Sequence, residues 1–219
     1  RLYVEIYDEL YKKFPQTGSG DDQAQRDYRL IQSLFGHSDT VLEVGAGNLA
    51  LTKKIARLVK KVVALEVSRS SAVGQKDGVN FINYNGVDFP DLTDEFDSAL
   101  SFQVLEHLHP DDVRPHLEAV KDSLKSDGRY IIRTPHRFSG PHDISRDFSE
   151  VASGLHLKEY TYQELIELSR VAGFGRVKSY LGQFGFKFWI PSWALVFGEK
   201  YFAFFFKLFV RNILIVLYK

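Results

Sequence analysis

The chain has 219 residues, with 28 basic and 28 acidic side chains, a net charge of zero and no cysteine. That length fits one domain able to bury its own core, and 44% apolar with 26% charged residues is ordinary globular usage, which excludes global disorder. Charge neutrality argues against a dedicated nucleic-acid binder, and the lack of cysteine excludes disulfides and thiolate zinc sites and fits a cytoplasmic setting. There is no methionine, so residue 1 is not expected to be an initiator, and no secretory signal is expected ahead of the fold.

Tyr3, Ile6, Tyr7, Leu10, Tyr11 and Phe14 recur at helical spacing and predict a helix over residues 3–14. Pro15 and the run Gly18-Ser19-Gly20-Asp21 predict a loop, and a second helix is expected from about Gln23 to Phe35. Val41-Leu42-Glu43-Val44 reads as a short apolar strand and Gly45-Ala46-Gly47-Asn48 as a tight turn. Leu49 to Lys61 reads as a helix with Leu51, Ile55, Leu58 and Val59 on one face. Strands are expected at residues 62–67, 80–84 and 97–102. Pro110 and Asp111-Asp112 open a helix running to residue 124, striped by Val113, Leu117, Val120 and Leu124. Gly128 precedes the strand Tyr130-Ile131-Ile132. Thr161 and Glu164 form a capping-box pattern ahead of Leu165, Ile166 and Leu168, with Gly173 as the C′ residue. Residues 176–181 and 212–218 supply two last strands. This alternation predicts an α/β fold with a parallel sheet covered on both faces.

In such a sheet, ligands bind beyond the carboxyl ends of the strands, where strand order reverses. Gly45-Ala46-Gly47-Asn48-Leu49-Ala50 lies at the end of the first strand, and its glycines let the backbone approach a ligand and take positive φ. The string fits a dinucleotide fingerprint with Ala50 in the third small position. Glu66 ends the second strand, where a carboxylate accepts hydrogen bonds from a ribose diol. Glu43 separates two ligand classes, since a carboxylate there repels a pyrophosphate and attracts the ammonium and sulfonium of S-adenosylmethionine. A Glu43 that points away into solvent removes that distinction.

The string Leu42-Glu43-Val44-Gly45-Ala46-Gly47 resembles the first motif of the class I S-adenosylmethionine-dependent methyltransferases. That family usually has a third glycine where this chain has Leu49. Ala64-Leu65-Glu66-Val67-Ser68 resembles its acidic ribose-binding motif. Asn85-Gly86-Val87-Asp88-Phe89-Pro90 resembles the segment whose aspartate contacts the adenine amino group. Residues 96–108, with Phe102 and Gln103, resemble the fourth-strand motif that closes the cofactor pocket. Further strings, Glu106 to Asp112, Ser139 to Ser145 and His156 to Thr161, are shared with an uncharacterised branch of the family.

The resemblance covers residues 40–182 and implies a Rossmann-like class I methyltransferase fold. That fold has a mostly parallel seven-stranded sheet with an antiparallel last strand. Residues 1–219 would form a single domain, with 1–36 as an N-terminal helical cap and 184–210 as an aromatic helical insertion before the last strand. The implied cofactor is S-adenosyl-L-methionine, held by Glu43, Gly45, Ala46, Gly47, Glu66 and Val67 together with Asp88, Phe89, Phe102 and Gln103. The implied reaction moves a methyl group to an oxygen or nitrogen of a small-molecule acceptor. Two alternatives are a non-catalytic binding protein on the same scaffold, favoured by Leu49, and an NAD-dependent oxidoreductase, opposed by Glu43.

Methyl transfer from a sulfonium is an in-line displacement, in which the protein aligns the acceptor and excludes water. A hydroxyl acceptor gains from a general base. The loop from Thr134 to Asp143 leaves the fifth strand at the ligand-binding edge and is rich in Pro, Gly and titratable groups. His136 and His142 are the candidate bases, Asp143 the group to orient a histidine, and Arg137 or Arg146 the partner of an anionic substrate group. Each histidine also has a plain reading as a hydrogen-bonded loop residue. His107, just after the fourth strand, either lines the pocket or serves the helix entry that follows. The spacings among His136, His142, Asp143 and His156 match no familiar ligand pattern, so no metal is expected.

Residues 184–219 hold 13 of the 31 aromatic residues and five basic groups against one acid, Glu199. Glu199, Lys200 and Lys207 interrupt the apolar run, so no transmembrane span is expected. Three readings fit: an insertion packed on the sheet, a lid or dimer face, and a segment in peripheral contact with a membrane through Trp189, Trp193 and flanking lysines. The composition fixes no oligomeric state.

Overall fold

The structure, a computed structural model, describes Glu5, Glu9 and residues 19–68, 79–183 and 185–219. Its centre is one sheet of eight strands. They are β1 (Thr40–Val44), β2 (Lys61–Glu66), β3 (Val79–Asn83), β4 (Phe96–Phe102), β5 (Leu124–Pro135), β6 (Arg176–Gln183), β7 (Phe186–Ile190) and β8 (Asn212–Tyr218). The order is β3-β2-β1-β4-β5-β8-β6-β7. Strands β1 to β5 pair in parallel, whereas β8 lies antiparallel to both β5 and β6, and β7 antiparallel to β6. The helices are α1 (Ser19–Ile31), α2 (Ala50–Ala56), α3 (Pro110–Ser123), α4 (Tyr162–Val171), α5 (Ser192–Tyr201) and α6 (Ala203–Phe209). This is the Rossmann-like methyltransferase architecture with an added edge strand.

Both sheet faces are covered, which is why the central strands read as continuous apolar runs. Adjacent residues enter opposite cores, as side chains alternate along a strand. Val41, Leu100 and Ile131 pack with Leu30 and Ile31 of α1 and Leu51 and Ile55 of α2. Leu42, Ala99 and Ile132 pack on the other face with Val113 and Leu117 of α3 and Leu165 of α4. Leu195 of α5 and Phe206 of α6 join that second core.

The capping box of α4 is present as expected, with Thr161 and Glu164 each satisfying the other's backbone N–H. Gly173 takes φ +86 at the end of that helix. Strand β8 occupies 212–218, where the sequence places a last strand, and is antiparallel, as the family resemblance implies.

Three expectations change, and a fourth lies outside the described residues. The helix over 3–14 falls almost wholly outside the described residues, where only Glu5 and Glu9 are seen, both helical. The loop at Gly18-Ser19-Gly20-Asp21 is instead helical from Ser19, since Asp21 and Asp22 suit a first helical turn and Gly20 serves close packing. The helix expected to Lys61 stops at Ala56, because β2 must start at Lys61 to pair with Thr40, and residues 57–60 make the turn. Residues 184–210 are not a purely helical insertion. Phe186–Ile190 forms an eighth strand on β6 before α5 and α6 begin, so the sheet exceeds the seven strands expected. Its side chains mostly face solvent, so no buried apolar run marks it in the sequence.

Candidate functional site

The strand order reverses between β1 and β4, and a cavity of about 560 Å³ opens there at the carboxyl ends of β1, β2 and β4. The turn after β1 folds back on β2, with Gly45 N and Ala46 N donating to the Leu65 carbonyl at 2.8 and 3.1 Å. Gly45 sits at φ +76, and a Cβ there would lie 2.4 Å from Val104 Cγ2, so only glycine fits. Leu49 holds the left-handed conformation, φ 63 and ψ 13, that a glycine ordinarily supplies. A side chain in that region costs about 1 kcal/mol or more. Leu49 is nevertheless buried, packing with Ala46 and Ala64, and it does not line the cavity.

Glu43 and Glu66 give the cavity acidic groups. Glu43 is 4% exposed, and its Oε2 has no hydrogen-bonding partner. Burial pushes its carboxyl up to about 8; Thr52 opposes this and the charge of Glu66 adds to it. Glu66 Oε2 accepts from Gly47 N at 2.7 Å, while Oε1 accepts from Val67 N at 2.8 Å and Ser68 N at 3.0 Å. The carboxylate thus ties the glycine turn to the end of β2.

Of the residues expected to hold a cofactor, Glu43, Gly45, Ala46 and Gly47 line the cavity, as do Glu66, Val67, Phe102 and Gln103. Asp88 and Phe89 are not among the lining residues. Asp88 is exposed and accepts a hydrogen bond from Asn85 Nδ2 at 2.6 Å, and Phe89 packs edge-on against Tyr84 and His116. Tyr84 and Gly86 of the same segment face the cavity in their place. Sequence reasoning also passed over α1, whose Gly20, Gln23, Ala24 and Asp27 form part of the wall. Gly20 lies close to the side-chain amide of Asn48, another residue of the cavity wall.

The three residues expected to be catalytic do not line the cavity. His136 is 0% exposed. Its Nδ1 accepts from Phe138 N at 3.1 Å, and its Nε2 donates to Glu199 Oε1 at 2.8 Å. Phe138, Tyr162 and Phe206 surround the ring, so no substrate reaches it. His142 is bound through Nδ1 to Glu159 Oε2 at 3.2 Å and does not line the cavity. Asp143 orients backbone and not a histidine ring. It accepts from Ser145, Gly154 N and His156 N and caps the short helix Ile144–Asp147. Against partial burial, those bonds hold its carboxyl down to about 2. Arg137 pairs with Glu164 at 2.5 Å and is spent on α4.

His107 is the histidine that does line the cavity. Burial lowers its imidazole to about 4, so it is neutral at physiological pH. Next to it, burial raises the Glu106 carboxyl to about 7, with Thr134 among the groups that oppose the rise. His156 meets this pair from another segment, its ring centroid 4.9 Å from that of His107. Its position just beyond the end of β4 was the sequence signal for His107.

A family model described as a methyltransferase domain matches residues 42–132. An uncharacterised methyltransferase of Oceanobacillus iheyensis is 24% identical over 141 residues, a match that spans 60% of this chain and 66%, just under two thirds, of that relative. The chain is similar to the crystal structure of a Burkholderia thailandensis 1,6-didemethyltoxoflavin-N1-methyltransferase with bound 1,6-didemethyltoxoflavin and S-adenosylhomocysteine. The identity is 20%, the TM-score 0.66, and the match covers 100% of this chain and 87% of that one. It is similar also to a SAM-dependent methyltransferase from Archaeoglobus fulgidus, at 16% identity and TM-score 0.71, covering 97% and 99%. At these identities the structural likeness shows the fold.

Proposed function

This chain carries the domain and the fold of the class I S-adenosylmethionine-dependent methyltransferases, and from that premise we propose that it methylates an oxygen or nitrogen of a small-molecule acceptor. The cofactor of that domain is S-adenosylmethionine, which supplies an activated methyl group when bound. One observation carries the reading. Glu43 presents a buried carboxyl oxygen without a partner to a cavity also lined by Glu66, at the end of the adjacent strand. A cationic ligand removes the cost of that orphaned acceptor, and a pyrophosphate adds to it. Gly45 and Gly47 would let the ligand lie against backbone, and Glu66 would accept from its ribose. Leu49 lends no support to a non-catalytic scaffold, because its side chain is packed away from the cavity. The small-molecule acceptor is consistent with the Burkholderia thailandensis relative, whose bound substrate is small. Calorimetric titration with S-adenosylmethionine, S-adenosylhomocysteine and NAD tests the assignment. Binding of both sulfur ligands and not of NAD is expected, and binding of NAD alone overturns it.

The charge of Glu43 is the source of a stability prediction. Its carboxyl titrates about 8 in the folded, ligand-free protein against 4.5 ordinarily. A raised pKa contributes stability that is complete below the unfolded value and is lost as pH rises through the folded one. Glu43→Gln is therefore expected to stabilise the ligand-free protein at pH 9 by about 2 kcal/mol, or roughly 5 °C in Tm, with no gain at pH 4.5. The same variant is expected to bind S-adenosylmethionine more weakly. A pH-independent effect on Tm would show that the carboxylate is not desolvated.

We propose in addition that β7, α5 and α6 present a face to a lipid surface. Phe186, Phe188 and Trp189 on β7, Trp193 on α5 and Phe204 and Phe205 on α6 are all exposed, Trp193 and Phe204 at 74%. Lys200 and Lys207 lie among them. Such aromatic and basic mixing suits the interfacial zone of an anionic membrane. Among the described residues no helix is long and apolar enough to cross a membrane. In flotation with anionic vesicles the protein is expected to rise with the lipid, and Trp189→Ser with Trp193→Ser to reduce that fraction about fivefold. Recovery of all the wild-type protein in the soluble fraction refutes lipid contact.

A further inference from the structure

Three residues from two distant segments meet at the edge of the cavity. Glu106 and His107 lie on the short helix Leu105–His107 that follows β4, and His156 precedes α4. A carboxylate oxygen of Glu106 and one ring nitrogen from each histidine all lie within 4.8 Å of one another. The segment carrying His156 is tied down by backbone, with Leu157 N donating to the Glu106 carbonyl at 2.7 Å and His156 N to Asp143 Oδ2 at 3.0 Å.

The hydrogen bonds of the two rings define where their protons sit. His107 Nδ1 is 3.0 Å from the carbonyl oxygen of Leu155, an acceptor with no proton to give, so Nδ1 donates and Nε2 carries the lone pair. His156 Nδ1 is 2.8 Å from Glu159 Oε1 and donates to that carboxylate. Metal-bound histidines characteristically donate their second N–H to a carbonyl or a carboxylate, which orients the ring and strengthens the ligating nitrogen. Both rings here are held in that way.

Glu106 supplies an independent observation. It is fully buried, and its Oε2 accepts from Thr134 Oγ1 at 2.8 Å. Its Oε1 is buried without any partner. An orphaned carboxylate oxygen in the interior is costly, and a cation beside it removes that cost.

We propose that Glu106, His107 and His156 bind one divalent first-row transition-metal ion. Two imidazoles and one carboxylate suit manganese, iron, cobalt or zinc, and three protein ligands leave coordination positions open. Through His107 the ion borders the cofactor cavity. If the methyltransferase reading holds, on which this further step rests, such an ion would hold an oxygen acceptor and favour its ionised form, which selects hydroxyl-bearing acceptors over amines.

The test is calorimetric titration of the chelator-stripped chain with manganese, cobalt and zinc chlorides, each sample also titrated with S-adenosylhomocysteine. One site of micromolar affinity is expected for at least one of these ions. His156→Ala and Glu106→Gln are each expected to weaken it by at least about 10-fold. S-adenosylhomocysteine affinity is expected to stay unchanged in His156→Ala, which shows that the variant is folded. Cobalt bound to the wild type is expected to show visible absorption bands that both variants lose. Failure of the wild type to bind any of the three ions, or binding by folded variants as tight as the wild type, overturns the proposal. Metal binding without S-adenosylhomocysteine binding supports the metal site and overturns the methyltransferase reading alone.

Discussion

Glu66→Ala is expected to weaken S-adenosylhomocysteine binding about 100-fold, which is roughly 2.7 kcal/mol. Two losses combine. In the proposed complex the carboxylate accepts from the ribose diol, and each hydrogen bond to a charged group is worth about 1.5–3 kcal/mol. In the ligand-free protein it also holds the glycine turn, accepting from Gly47 N at 2.7 Å and from Val67 N and Ser68 N beyond β2. Alanine leaves those donors without their acceptor, and the turn loses its fixed approach to the ligand. Glu66→Gln keeps one acceptor oxygen and is expected to lose about 10-fold. Calorimetry on both variants, with Tm measured alongside, checks the order. Wild-type affinity in a folded Glu66→Ala protein would falsify the ribose assignment.

The second large effect is on stability. Glu199→Ala is expected to cost about 3–5 kcal/mol and to lower Tm by roughly 10 °C. Glu199 lies on α5 but completes two other elements. Its carboxylate accepts from Tyr162 N at 2.5 Å and Gln163 N at 3.0 Å, the first N–H groups of α4, and from His136 Nε2 at 2.8 Å. Removing it strands two buried donors, Tyr162 N and His136 Nε2, together with the part-buried Gln163 N, a cost well above that of an exposed ion pair. His136→Asn is expected to be destabilised for the same reason, while its S-adenosylhomocysteine affinity stays within about twofold. Thermal melts and calorimetry separate this from the role of a base. A His136→Asn protein of wild-type Tm that had lost turnover would restore His136 as a catalytic residue.

His136 illustrates how far local reading reaches. Its neighbours Pro135, Arg137 and Gly140 mark a shaped loop beyond the fifth strand, and the loop is there, with a short helix at Arg137–Ser139. Nothing within that loop announces that Glu199, 63 residues later, will seal the ring. The same holds for His107 and His156, whose side chains meet because the segment before α4 folds back on the end of β4. Asp88 shows the reverse case. Its motif is in the expected place after β3, yet the Asn85 hydrogen bond turns its side chain outward and leaves Tyr84 and Gly86 to face the cavity.

The sequence by itself determined the alternation of strands and helices, a last strand at 212–218, the glycine turn after β1 and the acids of β1 and β2. These follow from periodicity, backbone sterics and capping, which act within a few residues. Tertiary structure alone decided which side chains of the loops face the cavity, that β7 joins the sheet edge, and that Glu106, His107 and His156 converge. Loop side chains carry no period. Their directions are set by burial against elements dozens of residues away, where packing, and not local propensity, supplies the larger energy.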